Sequence, residues 1–191
     1  MKYLFFDTET TGLPKNWRAP VSDLMNWPRM IQLGFLVYNQ DGELLKSGDF
    51  IIKPDGFSIP SEVSKVHGIT TERALSEGIS IQNVLEEFSG QVSDSSLLVA
   101  HNMAFDEKIV GAELLRNGMS NIVEAKRKIC TMRSSKEYCN LPGRYGLKNP
   151  KLSELYYKLF GRGFSNAHNA FADIKATADC FWELKRLGVL K

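Results

Sequence analysis

Lys2 to Pro14 reads KYLFFDTETTGLP. Lys2 to Asp7 is a short aromatic and apolar run that ends at polar residues, the pattern of a buried strand at the centre of a sheet, with its acid at the strand end. Two further strands are expected at Met30 to Asn39 and Glu43 to Lys53, and Asn39-Gln40-Asp41-Gly42 between them supplies the residues of a hairpin turn. The first three strands therefore read as an antiparallel meander.

Beyond the turn-like Pro54 to Pro60, helical patterns occupy Ser61 to Val66 and Ser80 to Phe88, the second opening on a serine suited to capping. Leu97 to Ala100 reads as another buried strand. Asn102 is placed to cap a helix from about Met103 to Asn117, with Phe105, Ile109 and Ala112 at helical spacing and Gly118 stopping it. Ile129 to Met132 reads as a fifth strand, Leu152 to Phe160 as a helix and Asn169 to Leu187 as a long final helix. Strands giving way to alternating strand and helix define an α/β protein with a mixed sheet and helices on its faces. At 191 residues the reading is a single domain, 1–191.

With 43% hydrophobic and 24% charged residues the composition is that of an ordinary globular chain. No apolar run approaches the ~18 residues of a membrane span, and Met1-Lys2 leads straight into the first strand, so neither signal peptide nor membrane partner is expected. Cys130, Cys139 and Cys180 are odd in number and widely spaced, which argues against a disulfide framework or zinc site and fits a cytoplasmic location. The net charge is only +2, but it is unevenly spread: Lys126 to Arg162 holds ten Lys or Arg against Glu137 and Glu154. Such a segment can track a phosphate backbone or serve as a solvated basic surface.

In a strand, side chains two apart share a side, so Asp7 and Glu9 can converge just beyond the sheet. At ~5 Å two carboxylates repel by about 1 kcal/mol in water and about 3 at an effective dielectric of 20, which calls for a cation or a raised pKa. A plain surface role is the alternative for such a pair. Asp106 follows a strand end, where α/β sheets gather functional side chains. Its alternative, like that of Asp173, is an acid near a helix start, favoured by the macrodipole alone. His168 and Asp173 are five residues, or 140°, apart on a continuous helix, too far to share a face. The histidine should therefore come from the loop before the helix, with Asn169 as cap and Asp173 about one turn in. On a loop, His168 is expected to be more mobile than the acids before substrate arrives.

FDTETTGLP (Phe6 to Pro14), VHGIT (Val66 to Thr70), AHNMAFD (Ala100 to Asp106) and AHNAFAD (Ala167 to Asp173) occur in that order. Together they resemble the DEDD exonuclease superfamily, histidine subtype, whose members include the proofreading epsilon subunit of bacterial DNA polymerase III. The resemblance covers essentially the whole chain. It implies a ribonuclease-H-like fold with a five-stranded mixed sheet. It further implies that Asp7, Glu9, Asp106 and Asp173 hold two divalent cations, Mg²⁺ or Mn²⁺, with His168 as general base. The activity implied is 3′→5′ hydrolysis of single-stranded DNA ends to 5′-mononucleotides. In similar enzymes residues matching Thr10, Gly12, Leu13, His67, Asn102 and Phe105 hold the terminal nucleotide. Read bottom-up, Gly12 could equally make the turn, Phe105 fill core and His67 cap the next segment.

The sequence departs from that pattern in places. The link from Leu13 to Arg29 is longer than usual, and its Trp17, Arg18, Trp27 and Arg29 interleave aromatic and basic groups as single-strand-binding surfaces do; a loop merely packed on the domain is the alternative. Gln32 stands where many relatives have Glu. The sequence stops at Lys191 after the last helix, without the extended tail by which the proofreading subunit grips its polymerase. That makes a stand-alone nuclease in repair or end trimming as compatible as a polymerase partner. RNA-directed exonuclease action is the first alternative function, because nothing in the motifs reads a 2′-hydroxyl; Thr10, where the oligoribonuclease branch tends to carry Met, weighs towards DNA. A non-catalytic nucleic-acid-binding module is the second, and it would not need the four acids and the histidine together.

Overall fold

A computed structural model describes residues 1–165 and 169–190. Three strands come first: β1 (Lys2–Thr10), β2 (Met30–Asn39) and β3 (Leu44–Ile51). Helices α1 (Ser61–His67), α2 (Thr71–Glu77) and α3 (Ile81–Asp94) then cross to β4 (Leu97–Ala100). Next come α4 (Met103–Arg116) and β5 (Lys128–Cys130), followed by the short α5 (Thr131–Ser134) and α6 (Lys136–Cys139). A small hairpin, β6 (Pro142–Gly143) with β7 (Gly146–Leu147), precedes α7 (Leu152–Phe160) and α8 (Ala170–Arg186).

The main sheet runs β3-β2-β1-β4-β5. β1 is antiparallel to β2, and β2 to β3, which is the expected meander. β4 is parallel to β1 and β5 to β4, so the sheet is mixed and five-stranded, the ribonuclease-H-like arrangement. Alternation along β1 sorts the core into two layers. Leu4 and Phe6 pack with Val84, Leu85 and Phe88 of α3 and Ile109 and Val110 of α4. Tyr3 and Phe5 pack on the other face with Leu155 of α7 and Ile174, Phe181 and Leu184 of α8. β1 thus lies between an antiparallel and a parallel neighbour, its end open to both helical layers.

Some expectations needed correction. β1 continues past Asp7 to Thr10, paired with β2 throughout, so Asp7 and Glu9 stand on the last pleats of the sheet rather than beyond it. β5 ends at Cys130, because Thr131 turns at once into α5. Asn102 occupies the position before α4 but makes no side-chain cap; its backbone is left-handed, at φ 77°, and its carbonyl accepts from Phe105 N–H. Ser80 and Asn169 do cap, accepting from Asn83 N–H and Ala172 N–H. Among the described residues no helix is long and apolar enough to cross a membrane.

Candidate active site

The odd-numbered face of β1 that carries Tyr3 and Phe5 into the α8 layer continues into Asp7 and Glu9. Asp173 lies in the first turn of α8, above that face. Asp7, Glu9 and Asp173 can each offer a carboxylate oxygen, all within 4.8 Å of one another, a cluster suited to a divalent cation. Two features bring α8 so close. Gly34 is the β2 partner of Asp7, and a methyl group there would collide with Ile174 Cδ1 and come within 3.5 Å of the Ala170 and Phe171 backbone. Glycine there leaves room for the Ile174 side chain between the sheet and α8. Gln32, the β2 partner of Glu9, is buried; its Nε2 donates to Asp49 Oδ1 at 2.7 Å and its Oε1 accepts from Ala170 N–H at 3.4 Å. The local bonding left open by a glutamine at this position is thus a tie between β3 and the head of α8.

Asp106 arrives from the opposite layer. It is 2% exposed in the first turn of α4, and its Oδ1 accepts from Thr8 N–H at 3.1 Å and from Thr8 Oγ–H at 2.8 Å. The alternation that sends Asp7 and Glu9 towards α8 sends Thr8 towards α4. The D-T-E triplet therefore addresses both layers at once, and the role of Thr8 was not foreseen from sequence.

Electrostatics bind the four acids into one cluster. Burial, then Asp106, Glu9 and Asp173, push the Asp7 carboxyl well above the usual range. Burial, Asp173 and Asp106 push Glu9 up to about 8. Burial raises Asp106 to about 7 against the opposing Thr8 hydrogen bonds, with Asp173 adding to the rise. Four carboxylates held this way favour either shared protons or bound cations.

The residues expected to hold a terminal nucleotide divide. Thr10 is buried and its hydroxyl donates to Gly12 O at 2.7 Å; Gly12, at φ 150°, makes the turn and has open space beside it. Leu13 is 73% exposed on that turn, and Phe105, one residue before Asp106, is partly buried against the core. Asn102 is free of capping duty, in a backbone conformation that costs non-glycine residues about 1–3 kcal/mol and that clusters at functional sites. His67 is buried at the end of α1; Nδ1 accepts from Ile69 N–H at 3.1 Å, and burial lowers its pKa. It closes that turn, whereas α2 is capped by Thr70. His168, with the expected loop that carries it, lies outside the described residues.

The Leu13–Arg29 loop is only half what its composition suggested. Trp27 is buried, its Nε1 donating to Pro20 O, and Arg29 is bound to Glu113 at 2.9 Å and stacked over Phe57. Both hold the loop to the domain, while Trp17 and Arg18 stay at the surface. In the basic segment, Lys128 and Lys148 are paired with Glu107 and Glu154, and Lys126 donates to the Ser93 and Ser95 carbonyls. Arg127, Arg133, Arg144, Lys151, Lys158 and Arg162 are exposed. His101 bridges the end of β5 to the later chain, its ring nitrogens at 3.0 Å from Thr131 Oγ1 and 3.1 Å from Pro150 O. Burial lowers its pKa to about 4. It is neutral near pH 7 and acts as a strut.

Residues 4–181 match the exonuclease family RNase_T. DNA polymerase III of the PolC type from Staphylococcus aureus is 31% identical over 98% of this chain and 12% of its own length. The corresponding protein of Mycoplasmopsis pulmonis is 32% identical over 62% of this chain and 7% of its own. Among solved structures, Escherichia coli exonuclease I in complex with a dA16 oligonucleotide superposes with a TM-score of 0.76 at 19% identity, covering 97% of this chain and 41% of that one. A zinc-bound form of its complex with single-stranded DNA gives 0.78 at 20% identity, covering 97% and 40%. The chain thus spans about an eighth of the polymerase and two-fifths of exonuclease I.

Proposed function

We propose, from the premise that this chain belongs to the RNase_T exonuclease family, that it is a metal-dependent 3′→5′ exonuclease acting on single-stranded DNA ends and releasing 5′-mononucleotides. The observation that carries this reading is the convergence of Asp7 and Glu9 from β1 with Asp173 from α8 on one carboxylate group, to which Asp106 of α4 is coupled electrostatically, with the pKa values of Asp7, Glu9 and Asp106 driven upwards. The donor set is all carboxylate oxygen, which suits hard cations, so Asp7, Glu9, Asp106 and Asp173 are assigned to two Mg²⁺ or Mn²⁺ ions. When bound, such a pair neutralises the developing charge of an in-line phosphoryl displacement.

The protein's own groups do the rest. Thr8 fixes the Asp106 carboxylate, and Gln32 with Gly34 seats the helix that carries Asp173. His168, just before the Asn169 cap, is assigned as general base; an imidazole with an unperturbed pKa of ~6.5 is neutral often enough near pH 7 to take a proton from the attacking water. Leu13 and Phe105 are assigned apolar contact to the terminal base and sugar, and Thr10, Gly12, His67 and Asn102 are assigned to the same terminal nucleotide. The 191 residues are assigned to one exonuclease domain. DNA is preferred to RNA because the matched relatives carry this segment inside DNA polymerase III, and similar structures hold dA16 and dT13 oligonucleotides.

The test is incubation of 5′-labelled single-stranded DNA and RNA with the protein in Mg²⁺, Mn²⁺, Zn²⁺ or chelator, beside Asp7→Ala and His168→Ala. A descending ladder on DNA, lost in chelator and in both variants, is expected. Cleavage persisting in Asp7→Ala would remove the metal assignment, and a ladder on RNA alone would transfer the activity to RNA.

A further inference from the structure

Trp17 is half exposed, in a protein whose other tryptophans, Trp27 and Trp182, are packed into the two core layers. Its ring leans on Phe105 with centroids 5.7 Å apart and planes at 44°. Phe105 directly precedes Asp106, so Trp17 packs on the first turn of α4, the turn that also carries Asp106.

The loop holding it is pinned. Asn16 N–H donates to Asn26 Oδ1 at 2.7 Å, and Asn26 Nδ2 donates back to Asn16 O at 3.0 Å. Lys108 of α4 donates to Trp17 O at 3.1 Å while its ammonium lies over the Trp27 ring. Arg116 donates to the carbonyls of Leu24, Trp27 and Pro28. A surface aromatic ring on a backbone fastened from three sides has already lost the freedom that binding would otherwise remove. Next to it, the Arg18 side chain is exposed and its backbone N–H is fixed by Asn16 Oδ1 at 2.9 Å.

We propose that Trp17 is a stacking platform for the base next to the terminal nucleotide, with Arg18 meeting the adjoining phosphate, so that the long loop extends the single-strand track beyond Leu13 and Phe105. This rests on the nuclease reading above. Stacking on an aromatic ring tolerates any base, as a non-specific exonuclease requires, and a planar guanidinium suits a phosphate. The pairing also explains why the loop's two tryptophans and two arginines split: Trp27 and Arg29 fasten the loop, and Trp17 and Arg18 face outwards.

Two measurements decide it. In chelator, tryptophan emission is followed while dT8 is added. Wild-type emission falls because the exposed Trp17 stacks, and Trp17→Ala shows no such fall and binds about tenfold more weakly. Trp17→Phe restores most of the affinity. Arg18→Ser lowers the log–log salt slope of binding by about 0.7, one phosphate contact on a single strand. In Mg²⁺, the KM advantage of dT8 over the p-nitrophenyl ester of thymidine 5′-monophosphate shrinks about tenfold in Trp17→Ala. Met25→Ala, 80% exposed elsewhere on the same loop, matches wild type in both assays. Wild-type affinity for dT8 in Trp17→Ala, or undiminished quenching in it, overturns the proposal. Absence of any hydrolysis by the wild type overturns the nuclease reading instead, and the chelator titration then still decides whether Trp17 stacks.

Discussion

Helix α4 carries two buried carboxylates two turns apart, and they sit in opposite electrostatic surroundings. Glu113 is fully buried, and its Oε1 accepts from Arg29 Nε at 2.9 Å, Arg116 at 2.8 Å and Met30 N–H at 3.0 Å. Asp106, 2% exposed, meets Thr8 and three further acids, and the interactions that raise its pKa are burial and Asp173. One carboxylate has its counter-charges supplied by the chain, and they are spent on tying the Leu13–Arg29 loop to the helix. The other sits among Asp7, Glu9 and Asp173, whose like charges raise the pKa values of Asp7 and Glu9. A buried charge with protein partners serves as scaffold, whereas converging acids with raised pKa values mark a candidate site.

The comparison predicts opposite phenotypes. Asp106→Asn, close in shape and still able to meet Thr8, should cut exonuclease turnover more than about a hundredfold, since disturbing even an outer partner of a metal ligand commonly costs 10–100-fold. Its metal-free melting temperature should not fall, because a repelled charge has been removed. Glu113→Ala should do the reverse. It strands two partly buried guanidiniums and should cost about 3–5 kcal/mol of unfolding free energy in urea titrations, with turnover per folded molecule far less affected. Equal loss of turnover in the two variants would erase the distinction.

A smaller effect concerns pH. Glu9 and Asp106 are raised in the folded protein, to about 8 and about 7, so the folded state holds protons that the unfolded chain releases near pH 4. With chelator present, stability should therefore decline as pH rises from about 4 through about 8. Mn²⁺ should flatten the decline by replacing the protons. Melting temperatures measured across this range with and without Mn²⁺ check it, and coincident curves would contradict it.

What could be read from sequence followed the strength of local patterning. β2 and β4 end where the largely apolar runs of Met30 to Asn39 and Leu97 to Ala100 end, because burial over nearly the whole strand keeps the pattern continuous to its limits. The final helix began where Asn169 could cap it. The two-residue alternation of β1 correctly placed Asp7 and Glu9 on one face, where Asp173 joins them. Other features have no local signature. The Thr8–Asp106 bonds span 98 positions and depend on two helical layers meeting at one strand end. Gly34 matters only because Ile174 happens to lie over it. α5, α6 and the β6–β7 hairpin are too short to show a period. In the long loop, composition suggested four substrate-facing residues, but Trp27 is buried in the core and Arg29 found a partner in Glu113, far away in sequence.

The most direct measurement is the number of Mn²⁺ ions taken up per chain in the presence of thymidine 5′-monophosphate, followed by the loss of the free-ion electron paramagnetic resonance signal. Two ions per wild-type chain, reduced in Asp7→Asn and Asp106→Asn and kept in the folded fraction of Glu113→Ala, is the predicted result. Uptake in Asp7→Asn and Asp106→Asn equal to that of the wild type would contradict the assignment of the acidic cluster as the metal centre.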